Sequence, residues 1–543
     1  MSQPPGLRPR RTAPFSLAEL RDLLPLGAVP ETGDVAVTGI THDSRLVRPG
    51  DLYAALPGEK THGARFAASA ISAGAAAVLT DEQGVQLLAG TETLPAGVAS
   101  APVPVISLDH VRSWLGAVSS AIYGHPAREL LMLGVTGTNG KTTTAYLLES
   151  GLRHAGMATG LIGTVETRVG DEVVASVRTT PEATEVHALL ASMLERGVRA
   201  CVMEVSSHAL AYGRVDGVSF DVAGFTNLSQ DHLDFHADLD EYFATKARLF
   251  TPRYARRGVV CVDGDYGRRL AERASIPTVT VAASDPVEHP RASHSGSEPG
   301  RFPRDRPAAW RVRRSGTQLY LATPDGREVT LVVPLPGGFN ISNAALAVAM
   351  LAESGMEPAI AAAGVAACAG VPGRMEQVNE PGDTPRAIVD YAHTPDAVQN
   401  VLEALRDEMR DQHGHGRLIA VLGAGGDRDC DKRPLMGAAA ARYANIVVVT
   451  DDNPRSEDPA VIRAAVLAGA EEVRQEERAE VIEAGDRRAA IRTALSLARG
   501  AADTVVVLGK GHEQGQEIAG TVEPFDDREV LREHLRDWNA EHR

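Results

Sequence analysis

Lysine is scarce in this sequence of 543 residues. Of its 55 lysine and arginine residues only five are lysine, namely Lys60, Lys141, Lys246, Lys432 and Lys510. Because arginine supplies almost all of the positive charge, a retained lysine favours a position that needs a compact ammonium group or a reactive primary amine. The five lysines are therefore candidates for functional positions.

Paired cysteines, apolar spans and net positive charge are also lacking, and each absence excludes a class of protein. The cysteines are scattered without the spacing of a disulfide framework or a metal site, which is typical of a reducing compartment. No apolar run is long enough to span a membrane, and none follows the arginine-containing N-terminus. The formal charge of −16 argues against a broad nucleic-acid or anionic-membrane surface. We expect a cytoplasmic protein with no nucleic-acid partner and no membrane insertion.

The length of the chain predicts several domains, because one hydrophobic core rarely supports 543 residues. From about residue 130, strands rich in Val, Ile and Leu alternate with helical stretches, which predicts an α/β fold with a mostly parallel sheet. Breaks at YGHPAR and GVPG predict a smaller N-terminal α/β domain (1–127), a central domain (128–371) and a C-terminal domain (372–543). The segment 284–307, dense in Pro, Ser and Gly, is predicted to be a flexible insertion loop.

The central domain begins with a strand, a glycine-containing loop and a helix, which is the order of a phosphate-binding loop. The predicted nucleotide-binding residues are Thr136, Gly137, Thr138, Asn139, Gly140, Lys141, Thr142 and Thr143. The glycines let backbone N–H groups approach a polyphosphate, Lys141 would reach the β- and γ-phosphates, and Thr142 or Thr143 would hold Mg²⁺. Val135 stands where the general pattern has its first glycine, so the loop is a variant of that pattern.

Two further polar residues follow apolar strands in the same domain. Glu204 opens EVSSHAL, and His232 lies in FTNLSQDHLDFH, so both fall at carboxyl ends of predicted strands. Open parallel sheets bind ligands at that edge. Together with the phosphate loop, Glu204 and His232 predict a second Mg²⁺ site. Lys246, in the helical stretch DEYFATKARLF, is a candidate only because lysine is scarce.

Four strands in the last third of the chain end in polar or glycine residues: RAIVDYAHTP, RLIAVLGAGGDRD, NIVVVTDDNPR and TVVVLGKGHE. If these strands are parallel, their ends converge on one crevice. The residues gathered there would be Asp390, His393, Arg428, Asp452, Arg455 and Glu513. Arg428 stands where a dinucleotide fingerprint has its third glycine, so a nicotinamide-dependent oxidoreductase is disfavoured.

The sequence resembles the Mur ligases over nearly its whole length. The motifs TGTNGKTT, EVSSHAL, FTNLSQDHLDFH, GFNISNA, PGRME, DYAHTPDA, GGDRDCDKRPLM, DDNPR and GKGHE occur in the order of that family. The resemblance implies a UDP-binding N-terminal domain, a central P-loop ATPase and a Rossmann-like C-terminal domain that closes over it. It is strongest to members that use ATP to add 2,6-diaminopimelate to a UDP-linked muramoyl dipeptide through an acyl phosphate.

The resemblance also implies roles for individual residues. The uridine-nucleotide contacts would be Ser44, Glu59, Lys60 and Thr61, and the muramoyl-peptide contacts Thr179, Thr180, Ser206 and Arg214. Adenine and ribose would contact Asn340, Arg374 and Asp390, and the amino-acid pocket would contain Arg428, Asp452, Asn453, Arg455, Gly509 and Glu513. Glu204, His232 and Thr142 would bind Mg²⁺, and Lys246 matches a carbamylated lysine (N6-carboxylysine). Tyr212 stands where many relatives have glutamine, which alters one substrate contact.

Three alternatives remain open at this stage. The same ligase could accept lysine, and a folylpolyglutamate synthase is a more distant possibility among ATP-dependent ligases. From another class, a P-loop protein could use its nucleotide state to control a partner. The expected partners are small-molecule substrates, and the protein is expected to be a monomer.

Overall fold

The computed structural model describes residues 8–31, 35–58, 60–89, 103–283, 309–378, 384–412 and 416–541. The first seven residues, Glu59 and the whole of the predicted insertion loop (284–307) lie outside the described residues. In the described ranges, no helix combines the length and apolarity needed to cross a membrane.

The N-terminal part contains a parallel sheet of four strands, in the order β3-β4-β5-β6, and a separate pair of short strands, β1 and β2. Its elements are β1 Phe15–Ser16, β2 Ala36–Val37, β3 Gly39–Thr41, β4 Asp51–Ala54, α1 Ala67–Ser72, β5 Ala77–Thr80, α2 Glu82–Ala89, β6 Val105–Ser107 and α3 Val111–Ile122.

The central part is built on an eleven-stranded sheet in the order β10-β9-β8-β11-β7-β12-β13-β14-β15-β16-β17. Its elements are β7 Leu131–Thr136, α4 Lys141–His154, β8 Thr159–Ile162, β9 Glu166–Val169, β10 Glu172–Ala175, α5 Ala183–Glu195, β11 Ala200–Glu204, α6 Ser207–Ala211, β12 Phe220–Phe225, α7 Leu239–Ala247, β13 Ala255–Cys261, α8 Asp265–Arg273, β14 Thr278–Ala282, β15 Trp310–Ser315, β16 Gln318–Ala322, β17 Glu328–Thr330, α9 Phe339–Glu353 and α10 Pro358–Ala366.

The middle of this sheet is parallel from β8 to β15, and antiparallel strands extend it at both edges. Neighbouring side chains of β7 point to opposite faces, as the period of a strand requires. Leu133 and Val135 belong to one apolar core with residues of α4 and α9, whereas Met132 belongs to another with residues of α5. Helices therefore cover both faces, and the buried sheet presents its functional residues only at strand ends.

The C-terminal part contains a six-stranded sheet in the order β18-β19-β23-β20-β21-β22, which is parallel except for β18. Its elements are β18 Glu376–Val378, β19 Arg386–Asp390, α11 Pro395–Gln412, β20 Leu418–Leu422, α12 Lys432–Tyr443, β21 Ile446–Val449, α13 Pro459–Glu471, β22 Glu480–Glu483, α14 Arg487–Leu497, β23 Thr504–Leu508, β24 Gly515–Ile518, β25 Thr521–Pro524 and α15 Asp527–Glu541. The predicted α/β class and the mostly parallel sheets are confirmed. Since β19, β23, β20 and β21 are parallel neighbours, the four polar strand ends share one edge.

Candidate active site

The phosphate loop joins the end of β7 to the start of α4. Gly137 and Gly140 have positive φ angles of 146° and 84°, and Gly140 is the N-cap residue of α4. A Cβ atom on Gly137 would collide with the Thr226 hydroxyl, and one on Gly140 with the Asn343 side chain. Both positions therefore require glycine, because conformation and space each exclude a side chain. The backbone N–H groups at the start of α4 are left free to face an anion.

Two lysines meet over this loop. Lys141 Nζ donates to the carbonyl oxygens of Gly137 (3.0 Å) and Thr138 (2.8 Å), and Lys246 Nζ donates to Gly137 O (2.8 Å). Lys246 lies on α7, is 1% exposed, and its ammonium lies 4.5 Å from the centre of the Tyr242 ring. Burial, followed by the nearby Lys141 cation, lowers the pKa of Lys246 well below its usual value. Burial also lowers the pKa of Lys141.

Glu204, at the end of β11, is the hydrogen-bonding centre of the site. Its carboxylate accepts from Thr142 Oγ1 (2.9 Å), from the Thr164 backbone N–H (2.8 Å) and from Thr164 Oγ1 (3.0 Å). It is 1% exposed. A buried carboxylate beside a threonine hydroxyl in the first turn of α4 is an all-oxygen donor pair of the kind that Mg²⁺ prefers.

His232 follows Asp231 on the loop after β12 and has a left-handed φ of 55°. Its ring forms an edge contact with His208, with centroids 5.0 Å apart. Burial lowers the pKa of His232, which favours the neutral ring that a metal ligand requires. Within the described ranges, no group of three or more His, Cys, Asp or Glu side chains is arranged to hold a metal. A cation at Glu204 and His232 therefore needs further ligands of another kind, such as hydroxyl, phosphate or carbamate oxygens.

The C-terminal domain closes the site from the opposite side. Arg374 Nη2 donates to Thr142 Oγ1 (3.3 Å), and its guanidinium lies 4.2 Å from the centre of the Tyr391 ring. Asp390 accepts from the backbone N–H groups of Met375 (2.7 Å) and Ala392 (2.8 Å). A cavity of about 310 Å³ lies between the domains, and its lining includes Thr138, Asn139, Gly140, Lys141, Thr142, Thr143, Thr179, Glu204, His232, Asn340, Arg374, Asp390 and His393. Three predicted residues do not line the cavity and lie on the inner side of the phosphate loop: Thr136, Gly137 and Lys246.

The predicted muramoyl-peptide contacts lie next to Glu204. Thr180 Oγ1 donates to the Glu204 carbonyl oxygen (2.8 Å) and accepts from the Ser206 backbone N–H (3.2 Å). Arg214 Nη1 donates to Thr180 O (3.3 Å), and the Thr179 hydroxyl lies 3.0 Å from that of Thr164. These four residues therefore belong to one hydrogen-bonded cluster around Glu204, in which Thr180 is completely buried. The Tyr212 ring lies 5.5 Å from the Arg214 guanidinium, a cation–π contact that glutamine could not make.

The predicted uridine contacts lie in the N-terminal domain and do not line the cavity. Ser44 begins a short 3₁₀ turn that Asp43 caps by accepting from the Arg45 backbone N–H (3.0 Å). Lys60 and Thr61 are exposed, and Glu59 lies outside the described residues. A large substrate would have to extend between this domain and Glu204.

The predicted amino-acid pocket lies at the ends of β20, β21 and β23. Asn453 Nδ2 donates to Glu513 Oε2 (2.8 Å), and Arg455 Nη1 donates to Gly426 O (2.6 Å). Arg428 and Arg455 both border Gly425. Gly509 has a positive φ of 114°, and a Cβ atom there would collide with the Asp452 carboxylate. The structure thus gathers all six predicted pocket residues, which combine acidic, basic and amide groups.

Two lysines are among the site residues to which the sequence gave no role. Lys432, at the start of α12, lies 3.7 Å from the carboxylate of Asp231, so this ion pair joins the C-terminal and central domains. Lys510 follows Gly509 and is completely buried among the pocket residues. Both are among the five lysines, so the scarcity of lysine was the signal that could have identified them.

A phosphate loop that faces a second α/β domain across a cavity is the arrangement of an enzyme that uses a nucleoside triphosphate between two domains. Three family models match the chain: Mur ligase family, catalytic domain (36–123), Mur ligase middle domain (135–351) and Mur ligase, glutamate ligase domain (373–511). The chain therefore belongs to the Mur ligase family, whose members are ATP-dependent ligases that form amide bonds.

Individual relatives agree with this assignment over the full length of the chain. The UDP-N-acetylmuramoyl-L-alanyl-D-glutamate--2,6-diaminopimelate ligase of Streptomyces coelicolor is 51% identical and covers 99% of each chain. The ligase of the same name from Corynebacterium glutamicum is 46% identical, over 93% of this chain and 92% of its own. A solved structure with that name superposes with a TM-score of 0.61 at 28% identity, over 98% of this chain and 100% of the other.

Proposed function

We propose that the protein adds 2,6-diaminopimelate to UDP-N-acetylmuramoyl-L-alanyl-D-glutamate, with conversion of ATP to ADP and phosphate, in peptidoglycan synthesis. The observation that carries the proposal is the joining of two sites across one cleft. The phosphate loop and Glu204 line the cavity from the central domain, and a pocket that combines acidic, basic and amide side chains lies at the strand ends of the C-terminal domain. The full-length relatives named for this reaction support the same substrates.

The reaction has two steps in this proposal. A γ-carboxylate oxygen of D-glutamate attacks the γ-phosphorus of ATP, the bond to the β-phosphate oxygen breaks, and ADP leaves. The amine of diaminopimelate then attacks the acyl carbon, phosphate leaves, and the amine loses a proton as the amide forms. The protein contributes alignment and charge neutralisation and forms no covalent bond to the substrate.

In this proposal, one group of residues binds the nucleotide and another binds the UDP-muramoyl dipeptide. Lys141 and the backbone N–H groups of the phosphate loop neutralise the phosphates, and Arg374 adds a second cation from the C-terminal domain. Asn340 and Asp390 contact adenine and ribose. The muramoyl peptide extends over Thr179, Thr180, Ser206 and Arg214, and its uridine end reaches Ser44, Glu59, Lys60 and Thr61 in the N-terminal domain.

Mg²⁺ fits the donors that are present. Thr142 and Glu204 would supply oxygens to the metal, and His232 would supply a ring nitrogen. The metal would supply neutralisation of the phosphate charge. Lys246 would add an anionic ligand if its neutral amine takes up CO₂, because that reaction forms a carbamate anion and releases one proton. The buried position and lowered pKa of Lys246 favour the neutral amine that this step needs.

The proposal also includes the domain boundaries, the oligomeric state and the location of the protein. We infer domain boundaries at 127/128 and 371/372, a monomeric enzyme, and a cytoplasmic location. The location is supported by the cysteines, since all four are free.

Phosphate release from the purified protein tests this proposal against its alternatives. Release should require ATP, the UDP-muramoyl dipeptide and diaminopimelate together, and Lys141→Ala should abolish it without loss of thermal stability, because the lysine stabilises a charged transition state. Release with ATP alone would favour a nucleotide switch. Release with a folate and glutamate in place of these substrates would favour a folylpolyglutamate synthase.

A further inference from the structure

Lys510 is a fully buried ammonium group beneath the amino-acid pocket. Its Nζ donates to Asn453 Oδ1 (3.1 Å), Glu513 Oε2 (3.2 Å) and Gly515 O (2.6 Å). These three acceptors satisfy all three of its N–H groups. A guanidinium is planar and larger, so it cannot direct donors to three acceptors around one nitrogen atom. The retention of lysine here, in a chain that otherwise uses arginine, has a direct geometric reason.

Lys510, Asn453 and Glu513 form a closed triangle of hydrogen bonds. Asn453 Nδ2 donates to Glu513 Oε2 (2.8 Å), while both Asn453 Oδ1 and Glu513 Oε2 accept from Lys510. Asn453 Oδ1 also accepts from the Glu517 backbone N–H (3.0 Å). The cation therefore fixes which end of the Asn453 amide faces Glu513 and holds the Glu513 carboxylate in one place.

The same lysine anchors the hairpin that supports Arg455. Gly515, whose carbonyl oxygen accepts from Lys510, is the first residue of β24. Further along the hairpin, Arg455 N donates to Glu517 O (3.0 Å) and Ala519 N donates to Arg455 O (2.7 Å). Arg455 has a left-handed φ of 54°, a conformation that a non-glycine residue keeps only when its surroundings hold it. Lys510 thus connects Glu513 and the backbone around Arg455.

The positive charge of Lys510 also influences which amino acid the pocket binds. Diaminopimelate carries two ammonium and two carboxylate groups and has no net charge at neutral pH, whereas lysine has a net charge of +1. A buried cation beneath the pocket makes the pocket less negative and so disfavours the more cationic amino acid. Without this cation, the negative charges of Glu513 and Asp452 would be less neutralised. The pocket would then bind lysine better relative to diaminopimelate.

We propose that Lys510 is a positioning and specificity-determining residue: it orients Asn453 and Glu513 and selects the zwitterionic diamino acid over its cationic analogue. The inference rests on the proposed function, because it assumes diaminopimelate as the substrate. Lys510 does not touch the substrate in this scheme and acts through Asn453, Glu513 and the β24–β25 hairpin.

The test compares Lys510→Met, Lys510→Gln and Lys510→Arg with the parent enzyme. We expect KM for diaminopimelate to rise by about tenfold or more in the Met and Gln variants, with KM for ATP unchanged within roughly twofold. The ratio of kcat/KM for diaminopimelate to that for lysine should fall by about tenfold. Lys510→Arg keeps the positive charge but not the hydrogen-bond geometry. Its KM for diaminopimelate should therefore rise, while its ratio of kcat/KM values should fall less than in the Met and Gln variants. Lys510→Gln retains a side-chain NH₂ group as a hydrogen-bond donor, so it can be measured in place of the Met variant if that variant does not fold.

Arg417→Met is the matched control. Arg417 pairs with Asp503 (2.9 Å) at the amino ends of β20 and β23, the opposite edge of the same sheet. Its loss should lower thermal stability and leave the substrate ratio unchanged. Lys510 variants whose ratio and KM for diaminopimelate match those of the control would overturn the inference while leaving the proposed function intact. A parent enzyme that prefers lysine would overturn the proposed function and the selectivity argument together.

Discussion

Individual lysines are used where geometry or chemistry excludes arginine. Lys246, Lys432 and Lys510 are buried, and Lys141 is half-buried over the phosphate loop. Lys141 and Lys432 lie at the cleft between the central and C-terminal domains. Lys246 lies behind the phosphate loop and Lys510 beneath the amino-acid pocket, whereas Lys60 is exposed in the N-terminal domain. A small ammonium fits between closely spaced oxygen acceptors, and a primary amine can take up CO₂. The scarcity of lysine in the sequence therefore singled out four residues that lie in or next to the site.

Substitution of Lys246 tests the carbamate. Lys246→Ala should reduce kcat by about a hundredfold or more, because an anionic group near the phosphates is lost. Formate or acetate should restore part of that activity, since a small carboxylate can occupy the same space. Lys246→Arg serves as the control that keeps a long cationic side chain but cannot form the carbamate, and it should be as inactive as the alanine variant. Full activity of the arginine variant in CO₂-depleted buffer would refute the carbamate.

Arg455 is proposed to bind the distal carboxylate of diaminopimelate. In the structure its guanidinium already donates to Gly426 O and lies 3.6 Å from Glu517, so it is not left unpaired when lysine is bound. The energy by which it discriminates against lysine is therefore modest, about 1–3 kcal/mol, or roughly five- to two-hundredfold. Arg455→Ala should lower kcat/KM for diaminopimelate by that factor and change the value for lysine little. Equal losses for both amino acids would mean that Arg455 only supports the loop.

At the scale of elements, the phosphate loop depends on its glycine conformation. Gly140→Ala places a side chain at a φ of 84° and against Asn343, so we expect kcat/KM for ATP to fall by about a hundredfold as the loop distorts. Gly156→Ala is the matched control: its φ is 79°, and nothing lies within 4 Å of the added Cβ. That variant should lose about 1 kcal/mol of unfolding free energy and keep normal ATP kinetics. Equal effects of the two substitutions would contradict the assignment.

The elements that could be predicted from the sequence are those with a strong local pattern. Buried parallel strands such as β7 and β20 are continuous apolar runs, so both they and the loops at their ends were identified. The edge hairpins were not predicted. β10 and β25 are mostly exposed and carry no apolar alternation, so their pairing is decided by the neighbouring strand and the turn. The triangle of Lys510 was missed for a related reason, since Asn453 lies 57 residues away in the chain.

In the whole molecule, polar contacts between described residues of two domains help to hold the C-terminal domain over the nucleotide site. Arg374 reaches Thr142, and Lys432 pairs with Asp231 across the cleft. No local pattern in the sequence could show which residues of two separate domains would meet. Only the order of the family motifs implied that the domains close on each other.

Loss of the Lys432–Asp231 pair should loosen this closure. Both side chains are less than one-tenth exposed, so Lys432→Met should weaken the closed arrangement by on the order of 1 kcal/mol and lower kcat several-fold. Small-angle scattering should show a larger radius of gyration with substrates bound. Arg386→Met, which breaks an ion pair with Glu408 inside the C-terminal domain, provides the control and should leave the radius unchanged. An unchanged radius in the Lys432 variant would show that the pair does not hold the domains together.

The most direct measurement of the central claim is the mass of the product formed when both amino acids compete. Purified enzyme is supplied with ATP, Mg²⁺, UDP-N-acetylmuramoyl-L-alanyl-D-glutamate and equal amounts of diaminopimelate and lysine. We expect the diaminopimelate-containing tripeptide to be formed in large excess, with one ADP released for each amide. A product containing mainly lysine, or ATP hydrolysis without any tripeptide product, would contradict it.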